Sequence, residues 1–189
     1  MKNKIIEKFI ELTDYTYIYG DEHELKKHLP ENTQTDEGGN YFLEIGESDT
    51  MFCSHLDTAA WEKEKVQHDY FKNEKGDIFV GTTGETYTYT YKNSSGETVT
   101  RERSNATLLG ADDKAGVVIM LHMIEHKIPG LYYFFHGEES GAIGSKAILR
   151  LNPSKFTKYK KGVAFDRRAF VSISSNQMGK ECCSQEFVV

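Results

Sequence analysis

Leu108-Leu-Gly-Ala-Asp-Asp-Lys-Ala-Gly-Val-Val-Ile-Met-Leu121 is the stretch around which the rest of the chain can be placed. A short apolar lead-in and a Gly-Ala turn precede two adjacent carboxylates, Asp112 and Asp113, and an apolar run follows. Ala115, Val118, Ile119 and His122 recur at three- and four-residue steps, which predicts a helix running to about Lys127. Both aspartates then stand at its mouth, where the helix dipole favours negative charge. A single Asp there commonly does no more than cap the helix. Two in succession before Lys-Ala-Gly exceed what a cap needs.

Working upstream, Thr50 to Ser54 is a compact strand that delivers His55-Leu-Asp57-Thr58 at its C-terminal end. Before it, Tyr41 to Ile45 and Thr33 to Asp36 are strand-like runs flanking the turn Glu37-Gly-Gly-Asn40. An amphipathic helix over Met1 to Asp14 and a short one over Asp21 to Leu29, closed by Pro30, open the chain. Downstream, Leu131 to Phe135 is a buried strand by length and aromatic content, and it ends in His136-Gly-Glu138-Glu139. A helix through Leu151 follows. Gly162 to Phe165 is another short strand, ending at Asp166, and Val171 to Ser174 is a further candidate. Strands alternating with helices predict an α/β fold, a three-layer α/β/α sandwich over a mixed, mostly parallel sheet.

Residues 59–107 differ in character. Trp61 to Lys75 is charged and weakly patterned, and Asp77 to Val80 reads as a strand. Thr86 to Lys92 and Thr98 to Arg103 flank Asn93-Ser-Ser-Gly-Glu97, a strong hairpin signal. Its Thr/Tyr arm has no apolar face, so the region reads as a solvated insertion, either a rim or subunit contact or a plain edge hairpin. The chain is expected to form a single domain over 1–189, with 59–107 inserted in it. Cys182 to Val189 reads as the opening turns of a helix that stops, so the domain is expected to be C-terminally incomplete.

With 189 residues the chain can build one substantial core. A net charge of -6 argues against a nucleic-acid backbone or an anionic membrane as partner. No apolar run approaches the roughly 20 residues of a membrane span. Cys53, Cys182 and Cys183 are an odd set without a CxxC pair, which fits a reducing, cytoplasmic compartment. The glycines after Phe135 lack dinucleotide-binding spacing, and Glu138-Glu139 would repel a pyrophosphate. No glycine loop leads into Gly-Lys-Ser/Thr, which excludes a P-loop.

His55 with Asp57, Asp112, Glu138 with Glu139, and Asp166 are each unremarkable alone. All of them stand at strand ends or in the turns beside them, which gathers them at one edge of one sheet. Carboxylates crowded there need a counter-charge, and a divalent ion on imidazole and carboxylate oxygens supplies one. Zinc suits that donor set, with Co2+ or Mn2+ tolerated.

Taken together, His55-Leu-Asp57-Thr, Gly110-Ala-Asp112-Asp113-Lys-Ala-Gly, Gly137-Glu138-Glu139 with Ile143-Gly-Ser, and Val163-Ala-Phe-Asp166 resemble the ordered motifs of the di-zinc exopeptidases. The nearest branch is the M20 type, which includes peptidase T and carboxypeptidase G2. The resemblance spans about Phe52 to Asp166. It implies His55 and Asp166 on a first zinc, Glu139 on a second, Asp112 bridging them at about 3.5–4 Å separation, and a cis peptide between Asp112 and Asp113. Asp57 would orient the imidazole, and Glu138 would be the general base of an amide hydrolysis. The substrate would be a short peptide or an acylated amino acid. The oligomeric state stays open, a homo-oligomer included.

The family's late histidine on the second metal has no counterpart before Val189. His122 and His126 lie about 15 Å and 21 Å down the helix from Asp112. His136, about 7 Å along the strand from Glu138, is the nearest stand-in. Unless a longer chain or a second subunit supplies that histidine, one well-held metal with weak or no turnover is expected, and the competing reading is a degenerate, non-catalytic binding or assembly protein on the same fold.

Overall fold

The computed structural model describes residues 2–167, 173–177 and 179–184. Helix α1 (Lys2–Leu12) and a 3-10 helix (Glu22–His28) come first, followed by β1 (Gln34–Thr35), β2 (Tyr41–Ile45) and β3 (Thr50–His55). Four strands then fill the insertion: β4 (His68–Lys72), β5 (Ile78–Thr82), β6 (Thr86–Lys92) and β7 (Thr98–Ser104). The last part holds α2 (Ala111–Glu125), β8 (Gly130–Phe135), α3 (Ile143–Leu151), β9 (Lys161–Ala164), β10 (Asn176–Gln177) and β11 (Lys180–Glu181).

Five strands make the central sheet, in the order β1-β2-β8-β3-β9. β3 runs parallel to β8 and to β9, whereas β2 is antiparallel to β8 and to β1. This is the mixed α/β architecture that the alternation of strand and helix predicts. β8 occupies the middle because it is apolar on both faces, as a strand covered from two sides must be. Leu131, Tyr132, Tyr133 and Phe134 are all essentially inaccessible. On one face, Tyr132 and Phe134 pack with Leu56, Val117, Val118 and Met120 and with Leu12 of α1. On the other, Tyr133 stacks with Phe42, meets Phe156 edge to face, and donates its hydroxyl hydrogen to Asp36. The Asp36 carboxylate also accepts the backbone N–H groups of Gly38 and Asn40 at 2.8 Å each. Asn40 in turn donates to the Gly144 carbonyl at 3.0 Å, which ties α3 to this turn.

β3 and β8 are joined through α2, and β8 and β9 through α3, the two connections stepping in opposite directions across the sheet. Right-handed crossovers of that kind put their helices on opposite faces and open a crevice at the carboxyl ends of the strands. Register carries the point further. His55 pairs with Phe135, and Cys53 with Ala164. Residues just beyond Phe135 and Ala164 therefore emerge beside His55.

Four local readings change. Of the expected stripe, Ala115 and Ile119 are exposed and His122 half-buried; only Val118 faces inward, and α2 buries it with Asp113, Lys114, Gly116, Val117 and Met120. The short helix after Asp21 is a 3-10 helix. The insertion holds two separate hairpins, β4-β5 and β6-β7, where only the second is expected; the first turns on Asn73-Glu-Lys-Gly-Asp77, the same Asn-x-x-Gly-acid pattern as Asn93 to Glu97. Of the expected strand Val171 to Ser174, residues 171 and 172 lie outside the described residues and 173 and 174 are not strand, while β10 pairs with β11 in a small hairpin. The expected final helix falls mostly on residues 185–189, outside the described residues.

Candidate metal centre at the strand ends

His55, the last residue of β3, is 2% exposed and sits at the bottom of the crevice. Its Nδ1 lies 3.1 Å from the backbone carbonyl of Asp57 and 3.4 Å from the Asp57 carboxylate. A carbonyl only accepts, so Nδ1 carries a hydrogen and Nε2 is the atom available to a metal. Nε2 faces outward, 3.2 Å from Asp112 Oδ1 and 3.9 Å from Asp166 Oδ2. Burial disfavours the charged imidazolium, but the hydrogen bond to Asp57 and the charges of Asp113 and Asp57 outweigh it and push the pKa up to about 9.

Asp57 is fully buried and does more than hold the ring. Its two carboxylate oxygens accept the N–H groups of Glu138 at 2.9 Å and Glu139 at 3.0 Å. The end of β3 is thereby fastened to the loop after β8. Burial opposes ionisation of Asp57, yet the His55 and Glu138 hydrogen bonds win and hold its pKa below the usual carboxylate value.

Two sets of donor atoms come together, each within 4.8 Å: His55 with Asp112 and Asp166, and His55 with Glu138 and Glu139. Every residue singled out from the sequence as a ligand or base thus reaches one rim, although the two sets share a single imidazole. The Asp112 side chain is 71% exposed, so the rim opens to solvent on that side. Burial and the Asp112 charge raise the pKa of Asp166. Burial likewise raises Glu139, with the Asp112 and Glu138 charges adding to it. These are the signs of anionic crowding that a dication would relieve, so the residues present fit one. The peptide between Asp112 and Asp113 is cis.

His136 is not a stand-in ligand. Its Nε2 donates to the Gly38 carbonyl at 2.7 Å, and its ring stacks on Tyr19. Its Nδ1 is 3.8 Å from Glu22.

A supporting layer escaped the sequence reading. Asp113 is buried, accepts the Ser54 hydroxyl at 2.5 Å and the Gly116 N–H at 3.2 Å, and so serves as the cap that Asp112 does not. Burial pushes its pKa up to about 6, with Ser54 and His55 pulling the other way. Lys114 is completely buried and donates from Nζ to the Asp57 carbonyl at 2.9 Å and to Thr58 Oγ1 at 2.6 Å. Desolvation lowers its pKa to about 8 against the pull of Asp57 and Asp113. Glu22, from the 3-10 helix, accepts the Gly137 N–H at 3.2 Å and steadies the same loop. One signal for Lys114 was in the chain: it stands three and four residues before Val117 and Val118, on their face of the helix.

No family model matches this chain, and no curated protein matches it. Among solved structures it is similar to the TET1 peptidase of Pyrococcus horikoshii, which can assemble into a tetrahedron or a large octahedral shell. That overlap has a TM-score of 0.46 at 19% identity and covers 85% of this chain and 68% of the other. It is also similar to PhTET1-12s, a dodecamer, with a TM-score of 0.42 at 18% identity over 77% of this chain. There the chain spans 64% of its neighbour's length. Likeness at this level does not reach to chemistry, which rests on the residues themselves.

Proposed function

We propose that the chain is a metal-dependent hydrolase of the di-zinc exopeptidase type, cleaving amide bonds in short peptides. The observation that carries this reading is the convergence of His55, Asp112 and Asp166 within 4.8 Å, beside a second carboxylate pair, Glu138 and Glu139. Assignment to the M20 branch rests on the ordered motifs alone, since neither the family models nor the solved structures point to it.

His55, Asp112 and Asp166 would hold one divalent ion, zinc by its donor set. A second ion would draw on Glu139 and would compete with the first for His55, leaving the Glu138 carboxylate beside them for the proton. Bound there, the ion supplies a Lewis acid for the scissile carbonyl and makes water a better nucleophile at neutral pH. Asp57 fixes the tautomer of His55 and, through the two N–H bonds, the position of the acidic pair. Glu138 accepts the proton from the attacking water and returns it to the departing amine, the two halves of general acid–base catalysis.

Hydrolysis of short peptides, followed with and without a chelator, is the test. Chelation is expected to remove turnover. Glu138→Gln is expected to lower kcat by about 10²–10⁴-fold while the zinc content stays that of the unaltered chain. Turnover that survives both treatments would overturn the reading.

A further inference from the structure

The last turn of α2 carries a second group of metal-type side chains that the strand-end centre does not use. His122, Glu125 and His126 each present one donor atom, and these atoms lie within 4.8 Å of one another. Positions i, i+3 and i+4 share a helix face, and two histidines four apart are a spacing that lets one ion be gripped from a single helix. The two rings have already come together, with centroids 4.2 Å apart. Nδ1 of His126 is 2.8 Å from the backbone carbonyl of His122. The carbonyl can only accept, so the hydrogen sits on Nδ1 and the lone pair on Nε2. A helix C-terminus also carries partial negative charge, which favours a cation. His122 stands ten residues beyond Asp112, about 15 Å along the axis, so no residue is shared with the crevice.

The surroundings agree in chemistry. The three side chains line a groove together with Glu7, Glu11 and His28. Nε2 of His28 is buried and has no hydrogen-bond partner among the described residues. Of the two lysines on the groove wall, Lys8 is already engaged with Glu11 at 2.6 Å, and Lys4 is the other.

We propose that His122, Glu125 and His126 form a surface site for a transition-metal cation of the kind that prefers imidazole: zinc, nickel or copper. Two nitrogen donors and one carboxylate disfavour calcium and magnesium, which take oxygen. With three ligands from one helix, the remaining coordination positions face the groove.

Copper(II) titrated into the unaltered full chain tests this directly. Its paramagnetism is expected to broaden the amide signals of residues 122–128 as a group separate from those at the strand ends. Zinc calorimetry supplies the count: H122A/H126A is expected to take up one ion fewer than the unaltered chain, and H55A to lose a different one. The site is disproved if residues 122–128 keep sharp signals at saturating copper, or if folded H122A/H126A binds as many zinc ions as tightly as before.

Discussion

Lys114 shows how much of the strand-end centre depends on groups that touch no ligand. Its ammonium is buried among Asp57, Thr58 and Asp113, where it satisfies the Asp57 carbonyl and offsets the carboxylates around His55. Lys114→Met keeps the aliphatic bulk but leaves that negative charge uncompensated. A loss of about 3 kcal/mol is expected, the lower end for breaking a buried ionic arrangement, and urea denaturation measures it. At this scale the sequence was informative wherever a residue's type announces its chemistry. His55, Asp57, Asp112, Glu138, Glu139 and Asp166 could all be picked out because imidazoles and carboxylates at strand ends are unusual in combination. Lys114 and Asp113 are harder to pick out, since a charge does not itself announce that folding will strip its water; the one cue is the spacing of Lys114 to Val117 and Val118. Nor could His136 be placed, because its fate is set by the Gly38 carbonyl 98 residues earlier in the chain.

Among the elements, α2 is the one whose existence was legible and whose orientation was not. Its true inner face begins with Asp113 and Lys114, two charges that break the apolar periodicity just where the helix packs most tightly. β4 was hidden for a similar reason: its residues are mostly exposed and alternate too weakly to register as a strand. β8, by contrast, is clear, since its apolar run answers to burial on both faces. The 3-10 helix ends on His28, which burial holds below its usual pKa, against the partial pull of Glu11. A depressed histidine means that the unfolded chain binds the proton more readily than the folded one. Its contribution is therefore present above the unfolded value, about 6.5, and is lost as pH falls through the lower folded one. Stability is expected to decline below about pH 6.5, and His28→Gln to flatten part of that decline in unfolding curves taken across the range.

For the molecule as a whole, the β6-β7 hairpin stands apart from the structure that carries the site. Its seven paired positions run from Thr86–Ser104 to Lys92–Thr98, and most of its side chains are exposed. At its base, Asn105 N–H donates to the Glu85 carbonyl at 3.1 Å, and Glu85 N–H to the Asn105 side chain at 2.7 Å. Replacing residues 86–104 by a short Gly-Ser link should therefore leave the urea midpoint within about 0.5 kcal/mol of the parent, as surface changes do. Zinc binding at His55 should be equally unaffected. A large drop would show that the hairpin supports the sheet. No helix among the described residues is long and apolar enough to cross a membrane.

β8 lies between β2 and β3, yet it is made more than seventy residues after them. While the ribosome is still translating the insertion, the two earlier strands have no bridge between them and their greasy sides stay uncovered. Only when the run from Gly130 to Phe135 clears the exit tunnel can the wedge be driven home. This chain must therefore spend much of its synthesis as a client for whatever shields nascent polypeptides, and haste in production should show up as insoluble material.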